Sequence, residues 1–321
     1  MFIDEWNSDL EFVEVQTSGS TGVPKVMRVE KRRMVASARM TLDFLRLERG
    51  DTALLCLPDK YIAGKMMVVR SIIGGLRLIS VEPCGNPLLS VEEGEHICFA
   101  AFTPMQVYNM LGDEVSRRRF EAIDKIIIGG GAVSGTLAEE LRWMKNEIWS
   151  TYGMTETLSH IAMRPLSGAG ASDWYETLKG VNISTNGEGC MVIDAPHVAE
   201  GLLETNDIVE IREDGRFKIL GRRDNVVCSG GVKMQIEQME QRIAVKYLGE
   251  FALSWVEDER LGQALVLVYT KKEDREEIER VCGEVLEKIE RPKRYIWVEA
   301  LPYTETGKIA RGMLRELIID K

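Results

Sequence analysis

The sequence predicts an α/β fold with a large, mostly parallel-sheet N-terminal domain and a small α+β C-terminal domain. In the first two-thirds of the chain, short apolar runs alternate with longer helical patterns, which is typical of crossover units on a parallel sheet. From about residue 180 short strands separated by turns replace that pattern, and a compact α+β unit follows residue 222. We therefore expect domains of residues 1–221 and 222–321.

The predicted elements follow the changes of hydrophobic period along the chain. The strands expected in the parallel sheet are residues 53–57, 76–81, 96–102, 125–128 and 147–151. The helices expected between and before them are residues 31–45, 64–73, 104–111 and 135–144. Three shorter strands are expected at 189–193, 208–212 and 217–220. The last unit is expected to contain helices at 234–247, 274–289 and 308–319 and strands at 251–256, 264–269 and 295–298.

Composition narrows the class of protein. The 321 residues are 45% hydrophobic and 29% charged, with a net charge of −10. That charge argues against a general binder of nucleic acid or of an anionic membrane, and no apolar run reaches the ~18 residues of a membrane-spanning helix. The six scattered cysteines and three histidines argue against a disulfide framework or a structural zinc site. We expect a cytoplasmic enzyme.

The sharpest motif is a loop rich in glycine and hydroxyl side chains near the N-terminus. It consists of Thr17, Ser18, Gly19, Ser20, Thr21, Gly22, Val23, Pro24 and Lys25. Glycines let backbone N–H groups turn toward an anion, hydroxyls add donors, and Lys25 adds a positive charge. The spacing differs from a Walker A loop, in which the lysine directly follows the second glycine. The motif favours a polyphosphate site, and a flexible Ser/Gly hairpin is the alternative.

A second motif directly follows a predicted strand. It consists of Tyr152, Gly153, Met154, Thr155, Glu156 and Thr157. Ligands of α/β sheets gather at the carboxyl ends of strands, and a glutamate there suits Mg²⁺, which is usually bound by one or two carboxylates plus phosphates. A surface turn with a helix-capping threonine is the alternative.

Three weaker patterns lie further along the chain. Gly129, Gly130 and Gly131 end a buried-looking strand and would let a flat ring approach, although a tight strand-to-helix turn has the same pattern. Asp207 and Arg222 offer a carboxylate and a guanidinium to a ribose diol, or form a plain surface ion pair. The last pattern surrounds Lys308, on a glycine-containing loop that could equally be solvated.

Together and in this order, the five patterns resemble the adenylate-forming superfamily of acyl-CoA synthetases, luciferases and peptide-synthetase adenylation domains. Within it, the chain is most similar to the o-succinylbenzoate–CoA ligases of menaquinone biosynthesis. The finer resemblance rests on the Tyr152 motif with Ser159 and His160 after it, and on four further stretches. These stretches are residues 57–71, 103–106, 221–225 and 229–231.

The resemblance implies a two-step reaction that uses ATP, Mg²⁺ and CoA. The carboxylate of a small-molecule acid, here o-succinylbenzoate, attacks the α-phosphorus of ATP and gives an acyl-adenylate and pyrophosphate. The thiol of CoA then displaces AMP to give a thioester. Residues 17–25 would hold the β- and γ-phosphates, and the Gly129–Gly131 run and Tyr152 would border the adenine and acyl pockets. Thr155 would touch the α-phosphate, and Glu156 would bind the magnesium ion.

The resemblance also implies roles for the second half of the chain. Asp207 and Arg222 would hold the ribose hydroxyls, and Lys308 would bridge the substrate carboxylate and the α-phosphate. Asp224 would be the hinge about which the C-terminal lid rotates between the two steps, and the loop with Gly230 and Gly231 would help to admit CoA. The acyl pocket would be lined by residues from separate segments, namely Tyr61, Arg70, Ser159 and His160, with Lys60 a further candidate partner for a second carboxylate.

The chain departs from the superfamily in three places. Only sixteen residues precede the phosphate loop, so the front subdomain is expected to be absent, and an uncovered sheet face would favour a homo-oligomer. Val26 stands where the family has glycine, and Tyr61 stands where it has a histidine and cannot carry its charge at neutral pH. Two alternative functions remain: an enzyme that loads a carrier protein, and a nucleotide-binding regulator without turnover.

Overall fold

The computed structural model describes residues 2–16, 26–304 and 309–319. The strands in chain order are β1 (Phe12–Gln16), β2 (Val26–Glu30), β3 (Thr52–Leu55), β4 (Arg77–Ser80), β5 (Phe99–Phe102), β6 (Lys125–Ile128), β7 (Glu147–Gly153), β8 (His160–Pro165), β9 (Glu176–Thr177), β10 (Asn182–Thr185), β11 (Cys190–Asp194), β12 (Leu202–Ile211), β13 (Phe217–Arg222), β14 (Val226–Ser229), β15 (Val232–Gln235), β16 (Phe251–Asp258), β17 (Gly262–Tyr269) and β18 (Arg294–Trp297). The helices are α1 (Phe2–Asn7), α2 (Lys31–Leu45), α3 (Ile62–Gly74), α4 (Pro104–Leu111), α5 (Glu114–Glu121), α6 (Gly135–Arg142), α7 (Ile236–Ala244), α8 (Arg275–Val285) and α9 (Arg311–Ile319).

The largest sheet is mostly parallel, as the sequence predicts. Among the described residues it has seven strands in the order β4-β3-β5-β6-β7-β8-β9. All pairs from β4 to β7 are parallel, and β8 and β9 add an antiparallel edge. Since crossover helices connect parallel strands, α3, α4, α5 and α6 lie in the connections between these strands.

This sheet is buried on both faces, because alternate residues of its strands enter two different cores. Ala53 and Leu55 pack in the core that also contains α2 and α3, whereas Leu54 packs in the core that contains α4, α5 and α6. Successive side chains of a strand point to opposite faces, which is why continuous apolar runs form these strands. The result is a helix–sheet–helix arrangement.

Two antiparallel sheets extend the first core. The hairpin β1–β2 contributes Val13, Val15 and Val29, and the four-stranded sheet β10-β11-β12-β13 contributes Phe217 among others. The strand β12 pairs with β13 so that Asp207 lies opposite Arg222. These two residues, which are separate in the sequence, are therefore neighbours across a ladder.

The last part of the chain forms an α+β unit around a separate sheet of the order β15-β14-β17-β16, with β18 parallel to β17. One face packs on α7 and α8, and the other packs on α9. A three-residue turn, Arg223–Asn225, connects β13 of the preceding sheet to β14 of this one. The α/β class with an α+β C-terminal part is confirmed, whereas the proposed boundary at residues 221 and 222 stays a prediction.

Several predicted elements need correction. The helix expected from residue 234 begins at Ile236, because Met234 and Gln235 end β15 and pair with β14. The strand expected from residue 96 begins at Phe99, and β7 runs on to Gly153 because it pairs with β8. The sequence pattern does not predict the helices α1 and α5. No helix in the described parts of the chain is both long and apolar enough to cross a membrane.

Candidate active site

Two of the predicted site segments, the glycine run and the Tyr152 motif, lie at the carboxyl ends of neighbouring parallel strands. Phe102 at the end of β5 pairs with Ile128 at the end of β6, which in turn pairs with Ser150 of β7. The segments that follow these strands therefore lie side by side at one edge of the sheet. They are Thr103–Pro104, Gly129–Gly131 and the turn that follows Tyr152.

The glycine run after β6 has a steric reason at two of its three positions. A Cβ atom at Gly129 would lie 2.4 Å from the Thr151 Oγ1 atom, and Gly130 has a φ of +80°. The Thr151 hydroxyl itself donates a hydrogen bond to the Ile128 carbonyl at 3.2 Å. The run is thus a tight turn that fits closely against β7, which is the alternative that the pattern left open. A role beside the adenine ring stays a prediction.

The turn from β7 to β8 exposes Glu156 at the same edge. A Cβ atom at Gly153 would lie 2.2 Å from the Ser159 carbonyl oxygen, so only glycine fits where the two strands reverse. The Thr157 hydroxyl caps the turn, since the Met154 N–H donates to it at 3.0 Å. Glu156 is exposed and Thr155 is half-buried beside it. This carboxylate and hydroxyl are oxygen donors of the kind that Mg²⁺ prefers.

A hydrogen-bonded network joins this turn to the ladder between β12 and β13. The Tyr152 hydroxyl donates to Asp207 Oδ2 at 2.5 Å, and Arg222 Nη1 donates to Asp207 Oδ1 at 3.3 Å. Burial, together with the Asp207 carboxylate, raises the pKa of Tyr152, so this hydroxyl stays a donor. The Tyr152 ring packs edge-on against Phe217 at a centroid distance of 5.7 Å. The structure therefore fixes Asp207 in place from two sides.

The predicted hinge residue, Asp224, is hydrogen-bonded to residues in and next to this network. Arg222 Nη2 donates to Asp224 Oδ2 at 3.0 Å, and the Asn206 amide donates to the same oxygen at 3.1 Å. Arg223 Nη2 donates to the side-chain oxygen Oδ1 of Asn206 at 2.9 Å. Asp224 therefore lies in the turn between the two sheets, held by polar contacts to β12 and β13.

Arg70, Ser159, His160 and Thr41 form what we call the Arg70 cluster. Arg70 is 2% exposed; its Nε donates to Thr41 Oγ1 at 3.1 Å and its Nη2 to Ser159 Oγ at 2.5 Å. His160 contacts Thr41 Oγ1 through Nε2 at 2.9 Å and Ser159 Oγ through Nδ1 at 3.3 Å. Three of the four predicted acyl-pocket residues are thus brought together.

The Arg70 cluster holds a positive charge that has neutral partners. Within the described residues no carboxylate forms an ion pair with Arg70, and its Nη1 meets only the Met67 thioether at 3.8 Å. Burial lowers the pKa of Arg70 to about 9. Burial, and then the charge of Arg70, lowers the pKa of His160 well below its usual value, so the imidazole is neutral at pH 7. The cluster is therefore suited to an anion that brings the missing negative charge.

The fourth predicted acyl-pocket residue, Tyr61, lies directly before α3, the helix that carries Arg70. The Lys60 ammonium lies 4.8 Å from the centre of its ring, which is a cation–π contact. Gly230 and Gly231 form the turn between β14 and β15 with φ values of +57° and +84°. A two-residue hairpin turn of this kind requires positive φ, so these glycines have a local structural reason.

Two predicted groups lie outside the described residues, namely the loop of Thr17 to Lys25 and Lys308. The strands that flank the loop pair in register, with Gln16 opposite Val26. A bridge between Tyr303 and Ile309 flanks Lys308. The roles of both groups stay predictions.

Sequence reasoning missed one functional candidate, Thr41, and one residue that packs beside the site, Tyr175. Thr41 lies on α2, in the middle of an amphipathic pattern, and it meets His160 across 119 positions of sequence. Tyr175 stacks on Phe217 at 5.3 Å and lies 6.2 Å from Tyr152, ring centre to ring centre. Neither has a motif around it. The sequence indicated a polar cluster only through Arg70, Ser159 and His160, which the family resemblance places in the acyl pocket.

Comparison with known proteins identifies the family. A profile of the AMP-binding enzymes matches residues 15–202, and a profile of the AMP-binding enzyme C-terminal domain matches residues 247–308. A 2-succinylbenzoate–CoA ligase of Staphylococcus epidermidis is 27% identical, with 93% of this chain and 68% of that protein covered. One from a strain of Staphylococcus aureus is 28% identical, with 93% and 65% covered. The chain spans about two thirds of the length of these relatives.

Solved structures agree. An acyl-CoA synthetase (AMP-forming)/AMP-acid ligase II-like protein from Dyadobacter fermentans is 34% identical with a TM-score of 0.67, covering 98% of this chain and 91% of that one. An o-succinylbenzoate CoA synthetase from Bacillus subtilis, in complex with its acyl-adenylate intermediate, has a TM-score of 0.79 at 22% identity, covering 94% and 68%. The resemblance drawn from the motifs is confirmed: the chain belongs to the AMP-binding enzyme family.

Proposed function

We propose that this protein is an AMP-forming acid–thiol ligase that activates a carboxylic acid with ATP and transfers the acyl group to CoA. The observation that carries the proposal is the Tyr152–Asp207–Arg222 network, which joins the carboxyl edge of the parallel sheet to the β12–β13 ladder. Each Asp207 oxygen accepts one of these two hydrogen bonds and has a second lone pair with which it can accept from a ribose hydroxyl. Membership of the AMP-binding enzyme family supports the same nucleotide.

The remaining nucleotide contacts are those that the resemblance to the family implies for these motifs. The loop of residues 17–25 holds the β- and γ-phosphates, and Thr155 contacts the α-phosphate. Glu156, exposed beside Thr155, holds the magnesium ion, which neutralises phosphate charge when it is bound. Lys308 places an ammonium where negative charge builds up between the carboxylate and the α-phosphorus. A Bacillus subtilis relative of the same fold is solved with ATP and magnesium ion.

The acid in this proposal is a dicarboxylate, 2-succinylbenzoate. One carboxylate reacts with ATP, and the other pairs with Arg70. Burying a cation without a counter-ion is costly, and Arg70 has only hydroxyl and thioether partners among the described residues. A ligand carboxylate supplies the absent charge, with the Ser159 hydroxyl beside it as a further donor. The names of the curated relatives support the same acid.

The second step needs access for CoA to the adenylate. The turn Arg223–Asn225 connects the two sheets, so rotation about Asp224 would carry Lys308 away and bring the turn of Gly230 and Gly231 toward the site. One cleft can then serve two different second substrates. The protein lies free in the cytoplasm in this proposal, with the acid and CoA as its small-molecule partners.

The proposal is tested by pyrophosphate release from the full chain with ATP, Mg²⁺ and 2-succinylbenzoate, with and without CoA. We expect pyrophosphate and AMP, and a CoA thioester when CoA is present. A Lys308→Ala variant is expected to lose at least about 100-fold of adenylate formation. Lys288→Ala, an exposed lysine of the same unit, is the matched control and should keep full activity.

The outcomes separate the parts of the proposal. Folded protein that releases no pyrophosphate with any carboxylic acid would contradict the ligase assignment. Release of pyrophosphate with other carboxylic acids, but not with 2-succinylbenzoate, would contradict the pairing of Arg70 with the second carboxylate of that acid. If pyrophosphate is released and no CoA thioester forms, but the acyl group is transferred to a carrier protein, then the acceptor is the carrier protein and not CoA.

A further inference from the structure

A second polar cluster lies at the opposite end of the parallel sheet from the candidate active site. His96 and Cys98 precede β5, and Asp124 directly precedes β6. The ligand atoms of these three side chains all lie within 4.8 Å of one another, and His96 Nε2 lies 2.9 Å from Asp124 Oδ2. Because both strands are parallel, these residues mark the amino edge of the sheet, whereas the glycine run of β6 is at its carboxyl edge.

We propose that His96, Cys98 and Asp124 form a binding site for a divalent late transition metal of the zinc class. The set combines an imidazole nitrogen, a thiol sulfur and a carboxylate oxygen, which are the three ligand types that zinc takes in proteins. A fourth position would remain for water. Harder ions such as Mg²⁺ would be disfavoured, since they prefer sites made of oxygen ligands.

The backbone holds two of the three ligands on rigid structure. The Cys98 N–H donates to the Thr52 carbonyl at 2.9 Å, and the Lys125 N–H donates to the Cys98 carbonyl at 3.0 Å. The Asp124 N–H donates to the Ile97 carbonyl at 3.2 Å. The two ligands are therefore fixed at the starts of adjacent strands, and sites built on such elements are more precise than sites on free loops.

The side chains need only small movements to enclose an ion. Ligand atoms of a tetrahedral zinc site lie about 3.3–3.8 Å apart, given metal–ligand bonds of about 2.0–2.3 Å. The His96–Asp124 pair must open slightly and the widest pair must close by about 1 Å. The side chains of His96 and Asp124 are 62% and 49% exposed, which leaves room for these rotations.

The charge around the cluster favours a cation. Asp51, directly before β3, lies close enough to act on the Cys98 sulfur electrostatically. The neighbouring cation, Arg77, is already engaged by the Glu95 carboxylate and by the Thr52 hydroxyl. Cys98 would bind the ion as a thiolate, so its proton leaves to solvent as the ion binds. Without an ion, His96 and Asp124 form an ordinary exposed pair that contributes little to stability.

The sequence alone argues against a zinc site because its cysteines are scattered and its histidines few. The signal is spatial, since Asp124 reaches the other two ligands only through the pairing of β5 with β6. The site is also distinct from the magnesium site proposed at Glu156, which lies at the other edge of the sheet and offers only oxygen ligands.

The test is a titration of the full chain with Co²⁺, which replaces zinc and gives a thiolate-to-cobalt charge-transfer band in the near ultraviolet. We expect the band to saturate at one equivalent of cobalt and to be removed by competing Zn²⁺. Cys98→Ser is expected to abolish the band. Cys84→Ser and Cys228→Ser, which change exposed cysteines elsewhere, are the matched controls and should keep it.

Two more variants keep the test decisive if Cys98→Ser does not fold. His96→Gln and Asp124→Asn change partly exposed side chains, and each is expected to weaken cobalt binding by at least about tenfold. Adenylate formation should be unchanged in both, because neither residue lies at the candidate active site. Absence of the band from the wild-type protein, its persistence in Cys98→Ser, or its loss from either cysteine control would overturn the proposal.

Discussion

Replacing Thr41 with valine removes one hydroxyl from the Arg70 cluster and keeps the shape of the side chain. Thr41 Oγ1 accepts from Arg70 Nε at 3.1 Å, contacts His160 Nε2 at 2.9 Å and lies 3.3 Å from the Ser37 carbonyl. The variant therefore leaves a buried guanidinium N–H and an imidazole nitrogen without a partner. If Arg70 pairs with the second carboxylate of the acid, its orientation and hence the binding of that acid depend on this hydroxyl.

The size of the expected change in KM follows from the hydrogen bond that Thr41 makes to Arg70. A hydrogen bond to a charged group contributes about 1.5–3 kcal/mol, and 1.4 kcal/mol is a factor of ten. We expect Thr41→Val to raise the KM for 2-succinylbenzoate by about 10- to 100-fold. The KM for ATP should not change. We also expect the free energy of unfolding to fall by about 2–4 kcal/mol, because two buried polar groups lose their partner.

The assay is pyrophosphate release at varied acid, with urea unfolding measured in parallel. Thr41→Ser keeps the hydroxyl and is the matched control, with a KM close to that of the wild-type protein. A monocarboxylate such as benzoate, which cannot reach Arg70 with a second charge, should show no difference between the two variants. Equal KM values for 2-succinylbenzoate in Thr41→Val and Thr41→Ser would refute the reasoning.

Three further predictions address other parts of the site. Tyr152→Phe removes a donor to the ribose-binding carboxylate and should raise the KM for ATP about tenfold, whereas Tyr175→Phe should leave it unchanged; equal values in the two variants would contradict this. Gly153→Ala should lower the free energy of unfolding, measured in urea, by about 2 kcal/mol or more, because the added Cβ would lie too close to the Ser159 carbonyl oxygen. Gly135→Ala, which has open space around it, should leave the free energy of unfolding unchanged. Equal losses in the two variants would contradict the close approach at Gly153. His160 has a folded-state pKa below its unfolded value, so the unfolded chain binds more protons, and stability is lost as pH falls below about 6.5. His160→Gln should flatten that loss by up to about 1.4 kcal/mol per pH unit in urea unfolding, and an unchanged slope would contradict a buried neutral imidazole.

Local sequence determined some elements completely. The helix α4 begins and ends where the sequence predicts, because Thr103 and Gln106 form a capping box and Pro104 takes the first helical position. The strand β6 also matches the prediction, since its run of isoleucines is buried between two layers of helices. In both cases the signal lies within a few adjacent residues.

Long-range pairing decided the elements that the sequence did not predict. Gln235 would continue a helix by its local pattern, but it pairs with Val226 across the β14–β15 hairpin. The helix α5 has a largely charged sequence with little apolar period, and Asp113 caps it by accepting from the Ser116 N–H at 2.8 Å. Such elements depend on partners that local propensity does not contain.

The candidate site also contains some residues that local sequence reveals and others that only long-range contacts bring together. Its motifs could be found because Tyr152 and its neighbours are contiguous in the sequence, and the strand order then brings them beside the glycine run. The Arg70 cluster could be found only in part. Thr41, Arg70 and Ser159 come from three separate elements, and nothing in their local sequence shows that one hydroxyl meets both a guanidinium and an imidazole.

The most direct test of the proposed function is a crystal structure of the full chain with a non-hydrolysable acyl-adenylate analogue of 2-succinylbenzoate. The ribose hydroxyls are expected within hydrogen-bond distance of Asp207, and the free carboxylate is expected at the Arg70 guanidinium. An analogue bound away from the carboxyl edge of the parallel sheet, or bound there with its free carboxylate in solvent and Arg70 still enclosed by Thr41 and Ser159, would contradict the account.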